Sequence, residues 1–193
     1  MIKNLVIVLL SLSLVIPAGA QNVILARENV VIHLDPVHLQ ANGEYYFRNT
    51  AAHEVSQVMF FPLPLLTGDL KLDTLSITDA STGTPIRSFR RMAAGIFYQL
   101  TFQPQEQKKL KIYYSQDHNG REASYLLMTH QKYWNKPVSL EEFSIVFDEK
   151  AITIDSLSYK PDKTVVEPDK TIHSWHKVNF QPDKELQIWF HKD

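Results

Sequence analysis

The histidine and carboxylate spacings are where chemistry would show first in this chain, and each stops short of a site. His53-Glu54 begins the His-Glu-x-x-His zinc-protease pattern, in which two histidines one helical turn apart bind metal and the Glu activates water. Gln57 stands where the second histidine should be, and the segment leads into a strand. His173 and His176 lie three apart, which on a strand sends their side chains to opposite faces. His33 and Asp35 share a face, but Pro36 places Asp35 at a strand end, where capping a turn is the ordinary role of a carboxylate. A metal site needs three or four suitable ligands, and only two can be named at either place, so neither metal nor cofactor is expected. Covalent catalysis has as little support: the chain has no cysteine and no Gly-x-Ser-x-Gly elbow. Glu141-Glu142 and Asp148-Glu149 are adjacent pairs whose members diverge on a strand, whereas glycosidase acids face each other across roughly 5–10 Å. Acids or histidines gathered from separate strands remain the one route to an enzyme, of the carbohydrate-active or metal-assisted hydrolase kind.

Aromatic side chains offer recognition instead. Apolar matching of Ser174–Phe180 with Leu186–Phe190 favours a hairpin that opposes Phe180 with Leu186, Val178 with Ile188 and His176 with Phe190. Its reverse face then carries Trp175 beside His191 and Lys177 beside Trp189. Half-exposed tryptophans of this kind stack on sugars or fill a partner's pocket, because the indole joins a large apolar area to a polar N–H. The competing expectation is that other strands cover the rings and make them core. Tyr133-Trp134, in a loop ahead of Pro137, faces the same choice.

The elements that must hold these residues are strands. Between His38 and Arg48 the alternation is unbroken: Leu39, Ala41, Gly43, Tyr45 and Phe47 fall on one face and polar residues on the other. Asn42-Gly43 would by itself suggest a hairpin turn, but the alternation runs through it, so Gly43 is expected to be a bulge or a close-approach point. The same period returns in Ile96–Phe102, Leu110–Tyr114, Phe143–Phe147 and Leu186–Phe190, with Pro and Gly breakers between the runs. Ser139–Glu142 could form one helical turn at most. Asn119-Gly120 is the better hairpin signal, joining Leu110–Tyr114 to Tyr125–Met128. The expectation is an all-β, antiparallel, immunoglobulin-like sandwich of about a dozen strands over residues 21–193. Two packed lobes divided near 116–122 are the alternative.

Lys3, the apolar run Leu5–Ile16 and the small residues Ala18-Gly19-Ala20 read as a signal peptide over residues 1–20, cut after Ala20. A membrane span needs roughly 20 apolar residues, and Pro17 ends this run early, so stable insertion after cleavage is not expected. The implied address is secreted or periplasmic. With Gln21 at the mature terminus and no cysteine, a diacyl anchor and disulfides are both excluded. Without Lys3 the chain carries 19 basic against 21 acidic side chains, and Arg87, Arg90 and Arg91 form the densest basic cluster. That is a solvated rim rather than a nucleic-acid interface.

Glu44-Tyr45-Tyr46-Phe47-Arg48-Asn49-Thr50 followed by Phe60-Phe61-Pro62-Leu63-Pro64 resembles exported bacterial β-sandwich proteins of uncharacterised function. Tyr125–Thr129, Trp134, Pro137 and Asn179–Pro182 also look like that family. The pattern is more distantly similar to the non-catalytic N-terminal sandwich of zinc aminopeptidases and to the sandwich domain of inter-alpha-trypsin inhibitor heavy chains. The resemblance implies core roles for Tyr45 and Phe47, a strand ended by the Pro pair, and an envelope location, and it carries no catalytic residue. The expected function is a non-catalytic binding or accessory module of the cell envelope with a protein or glycan partner. Its expected surface is Trp175, Trp189, His191, Lys177, Tyr133 and Trp134.

Overall fold

The computed structural model describes residues 22–63, 72–92, 95–118, 120–127 and 137–192. The leader, Asn119, and the Tyr133-Trp134 pair lie outside them. Thirteen strands and no helix are found among the described residues. In the first half these are β1 (Val23–Leu34), β2 (His38–Asn49), β3 (Val55–Pro62), β4 (Leu72–Asp79), β5 (Phe89–Met92), β6 (Gly95–Phe102) and β7 (Gln107–Asp117). The second half supplies β8 (Glu122–Tyr125), β9 (Val138–Phe147), β10 (Ile152–Leu157), β11 (Lys163–Glu167), β12 (Lys170–Phe180) and β13 (Leu186–Lys192).

One apolar face per strand forces the strands into layers. A seven-stranded sheet runs β11-β12-β9-β1-β2-β7-β4, and two three-stranded sheets run β3-β6-β5 and β10-β13-β8. Phe61 of β3 lies edge-on to Tyr45 of β2 and Tyr114 of β7, at 5.4 and 6.1 Å between ring centroids. Tyr125 of β8 hydrogen-bonds Tyr45 of β2 and Glu28 of β1. The two small sheets therefore sit side by side over the large one. This is the all-β, sandwich-like fold expected from the alternation, with sheets that do not close into a barrel. Ile32, Leu39, Phe61, Phe102, Ile145 and Phe190 belong to one connected core drawn from all three sheets.

β2 is continuous through Asn42-Gly43, and a Cβ on Gly43 would fall 2.6 Å from the Tyr45 hydroxyl oxygen. Gly43 is thus a close-approach point and not a turn. Tyr45 and Phe47 are core at 4% and 3% exposure. Asn49, wholly buried, donates to the carbonyls of His53 and Gln103 and accepts from Ala51 N, all at 2.9 Å, tying the end of β2 to two loops.

Three expectations change. β1 and β9 pair in parallel, so the large sheet is mixed rather than purely antiparallel. Ser139–Glu142 lies within strand β9. Asn119 itself lies outside the described residues, but the strands on either side of Asn119-Gly120 do not pair as the expected hairpin would require: among the described residues β7 pairs with β2 and β4, and β8 pairs with β13 in another sheet. Gly120, at φ 81°, supplies a left-handed residue there.

Candidate functional site

The hairpin expected between β12 and β13 is also absent, and with it the paired tryptophans. β12 lies in the large sheet between β11 and β9, and β13 is the centre of a small sheet between β10 and β8. Each strand is thereby paired along both of its edges with strands other than the one it was expected to meet. Trp175 consequently points into the core at 2% exposure, stacks on Phe143 at 4.8 Å and 13°, and donates Nε1–H to the Lys160 carbonyl at 2.8 Å. It is a packed core residue, the competing expectation for it. Lys177 is drawn to the Asp162 carboxylate at 2.7 and 2.9 Å and does not border Trp189.

Trp189 does lie at the surface. Its neighbours Ile188 and Phe190 are buried at 0% and 1%, so alternation turns the indole outward at 38% exposure. Glu122 on β8 and Ser156 on β10 are its register partners. Further along β13, His191 Nδ1 lies 2.8 Å from Asp155 Oδ1. Asp155 is the extra residue of a bulge between Ile154 and Ser156, a device that re-aims a side chain at a sheet surface. Gln187, Trp189 and His191 line one strand and Thr153, Asp155 and Glu122 the strands beside it. The result is one flat apolar ring within a rim of hydrogen-bonding groups.

A second constellation joins strands far apart in sequence. His38 on β2 and Asp117 on β7 are register partners, and the His38 Nε2 to Asp117 Oδ1 distance is 3.7 Å. Asp73 is the extra residue of a bulge in β4 between Leu72 and Thr74, and its Oδ2 lies 4.0 Å from His38 Nε2. One ligand atom from each of the three falls within 4.8 Å of the others. Asp35 Oδ2 is 3.5 Å from the other ring nitrogen of His38. Burial works against the Asp35 carboxylate, but N–H bonds from Val37 and His38 and the adjacent imidazole outweigh it and hold its pKa below the usual value. Imidazole plus two carboxylates is a donor set for a borderline divalent ion.

The pairs weighed from sequence do not converge. His173 bonds Thr164 Oγ1 at 2.8 Å, His176 lies 3.2 Å from Glu142, and Asp35 caps the Val37 turn as expected. His38, Asp73 and Asp117 escaped sequence reasoning because strand register and a single-residue bulge bring them together.

No family model and no curated protein matches this chain. Among solved structures it is similar to a Legionella pneumophila protein described as a "putative nutrient binding protein", with TM-score 0.68 and 16% identity over 88% of this chain and 67% of that one. It is also similar to an M1 zinc metallopeptidase of Deinococcus radiodurans, with TM-score 0.52 and 11% identity over 89% of this chain and 43% of that one. The chain thus spans less than half of the metallopeptidase. At these identities the likeness is one of fold, a distant sandwich relationship.

Proposed function

We propose that this chain is an exported, non-catalytic binding module of the cell envelope that recognises a glycan on the outer face of the β10-β13-β8 sheet. The single observation that carries this is Trp189, 38% exposed at the centre of that face. Protein hot spots sit in apolar, desolvated surroundings, whereas Trp189 is ringed by Glu122, Asp155, Gln187 and His191. A sugar presents C–H faces to an indole and hydroxyls to such a rim. The leader pattern of residues 1–20 supports export, and the description of the Legionella relative supports binding over chemistry.

The test is a fluorescence titration with a panel of oligosaccharides, including chitotriose and a peptidoglycan disaccharide, on wild type and Trp189→Ala. Saturable binding that weakens about tenfold in the variant, with unchanged unfolding midpoint, is expected from losing one stacking surface. Failure of every sugar to bind, or equal binding by the variant, sinks the proposal. Export is checked separately by recovering from the periplasm a protein that begins at Gln21.

A second reading, a metal-assisted hydrolase, is favoured by the convergence of His38, Asp73 and Asp117. Excess Zn²⁺ over a chelator-treated control should then raise the melting midpoint by about 5–10 °C at a hundredfold excess over Kd, and His38→Ala should abolish the rise. An unchanged midpoint in wild type removes this reading.

A further inference from the structure

The β3-β6-β5 sheet sets apolar surface beside arginine. Among the described residues, three of the seven large apolar side chains that face solvent lie on this small sheet: Val58 at 63%, Met92 at 47% and Phe89 at 37% exposure. Strand register shows how its outer face is built. Phe60 of β3, Phe97 of β6 and Arg90 of β5 are register partners in one row, and alternation with the buried Met59, Phe61, Ile96 and Tyr98 turns that row outward. The Phe60 and Phe97 rings are 4.7 Å apart, and the Arg90 guanidinium lies 6.0 Å from the centre of the Phe97 ring. In the next row Gly95, the register partner of Met92, carries no side chain, and the Phe60 ring comes within 2.9 Å of where a Cβ would fall.

β5 is the free edge of this sheet, since the seam with the β10-β13-β8 sheet runs past Phe60 and Phe61 of β3. Its four residues are all exposed, with Phe89 and Arg91 leaving one side of the strand and Arg90 and Met92 the other. Arg87 stands just ahead, also exposed. None of these three guanidiniums is ion-paired among the described residues. From sequence alone the cluster is a solvated rim. The fold adds what the sequence could not show, a contiguous apolar face at its side, and an apolar patch rimmed by one sign of charge marks an interaction surface.

We infer that this edge docks on a bilayer containing anionic phospholipid, as a peripheral contact made by β5 and the sheet face beside it. Guanidiniums take phosphate oxygens through paired N–H bonds. Met92 and Phe89 pass between the headgroups toward the acyl boundary, and Val58 with the Phe60 and Phe97 rings extends the apolar surface behind them. A peptide partner fits less well, because adding a strand depends on backbone bonds and an edge of four residues offers few, whereas a lipid surface needs none. Trp189 and its rim belong to the other small sheet, so this inference does not rest on the glycan reading.

The test is flotation of the folded protein with vesicles of phosphatidylcholine alone and of phosphatidylcholine and phosphatidylglycerol in equal parts. Binding to the anionic vesicles only, weakening as salt is added, is expected. Arg90→Gln and Arg91→Gln, both at exposed positions, should each lower the partition coefficient about fivefold. The chain has no cysteine, so an environment-sensitive dye on Met92→Cys reports insertion, with Val166→Cys on the opposite edge strand β11 as its control. The dye should shift to the blue on anionic vesicles at Met92→Cys and stay unchanged at Val166→Cys. No flotation, equal flotation with neutral vesicles, wild-type partitioning by both arginine variants, or equal dye responses at the two positions overturns the inference. A shift at Met92→Cys caused by a polyglutamate peptide, with none from vesicles, would assign the patch to an acidic protein segment and overturns it as well.

Discussion

Two histidines and four carboxylates set how this protein responds to acid. The His118 ring accepts from Gly120 N–H at Nδ1, 3.0 Å, and so donates from Nε2 to the Asp35 carbonyl at 2.8 Å. Burial lowers its pKa from 6.5, and that of His173 likewise, against weaker opposing contributions from Asp35 and Glu149. Both bases therefore take up protons in the unfolded chain before the folded one, and stability is lost as pH falls below 6.5. The carboxylates act lower down. A Lys177 hydrogen bond depresses Asp162 and a Lys109 bond depresses Glu44; Asp35 and Glu106 are depressed by hydrogen bonds and nearby positive charge despite burial. Their stabilisation is present above the unfolded values of 3.8 and 4.5 and disappears as pH falls toward the lower folded ones. Urea midpoints measured against pH should accordingly fall in two limbs, the first starting near 6.5 and the second below 4.5. His118→Gln, which keeps a donor and an acceptor, should flatten the upper limb. A midpoint constant from neutral to about pH 5 would contradict this account.

At the scale of the strand, alternation was legible and its interruptions were not. The apolar faces of β2, β6, β7, β9 and β13 were readable because a half-buried strand repeats every second residue and nothing in those segments breaks the period. Pairing was harder to read. β12 and β13 match well enough to suggest a hairpin, yet they lie in different sheets, each paired on both edges with other strands, and Trp175 went inward with β12. Bulges hid the rest. The extra residue Ala26 in β1 switches the inward phase from Val23 and Leu25 to Glu28 and Val30; Asp73 and Asp155 are extra residues in β4 and β10. Two of these insertions lie next to a candidate site, Asp73 beside His38 and Asp155 beside His191. Glu141 shows the same limit from the other side. As half of an adjacent acidic pair it looked like chance, but β9 turns it inward and sends Glu142 out to Arg27 at 2.8 Å.

For the whole molecule, the decisive feature is how the second half of the chain threads the first. β9 lies in parallel beside β1, and β12 and β11 continue the large sheet outward from it. Removing everything after His118 would leave β1 as an edge strand paired only with β2, and would uncover Val30 and Ile32, now 1% and 0% exposed. It would also take away β13, whose Leu186, Ile188 and Phe190 are buried at 0–1% over the same core. A long apolar edge without its neighbour is an aggregation template, and a fragment of roughly 100 residues that loses one layer over half its sheet has too little buried surface to offset its chain entropy. Residues 21–118 made alone should therefore show no cooperative unfolding, and ordered amide signals should appear only when residues 119–193 are supplied. Cooperative unfolding of the isolated fragment would instead mean that the chain divides near 116–122 into lobes that fold separately. In that event the hydrogen bond from Tyr125 to Glu28, which crosses that boundary, would belong to an interface between two units rather than to one core.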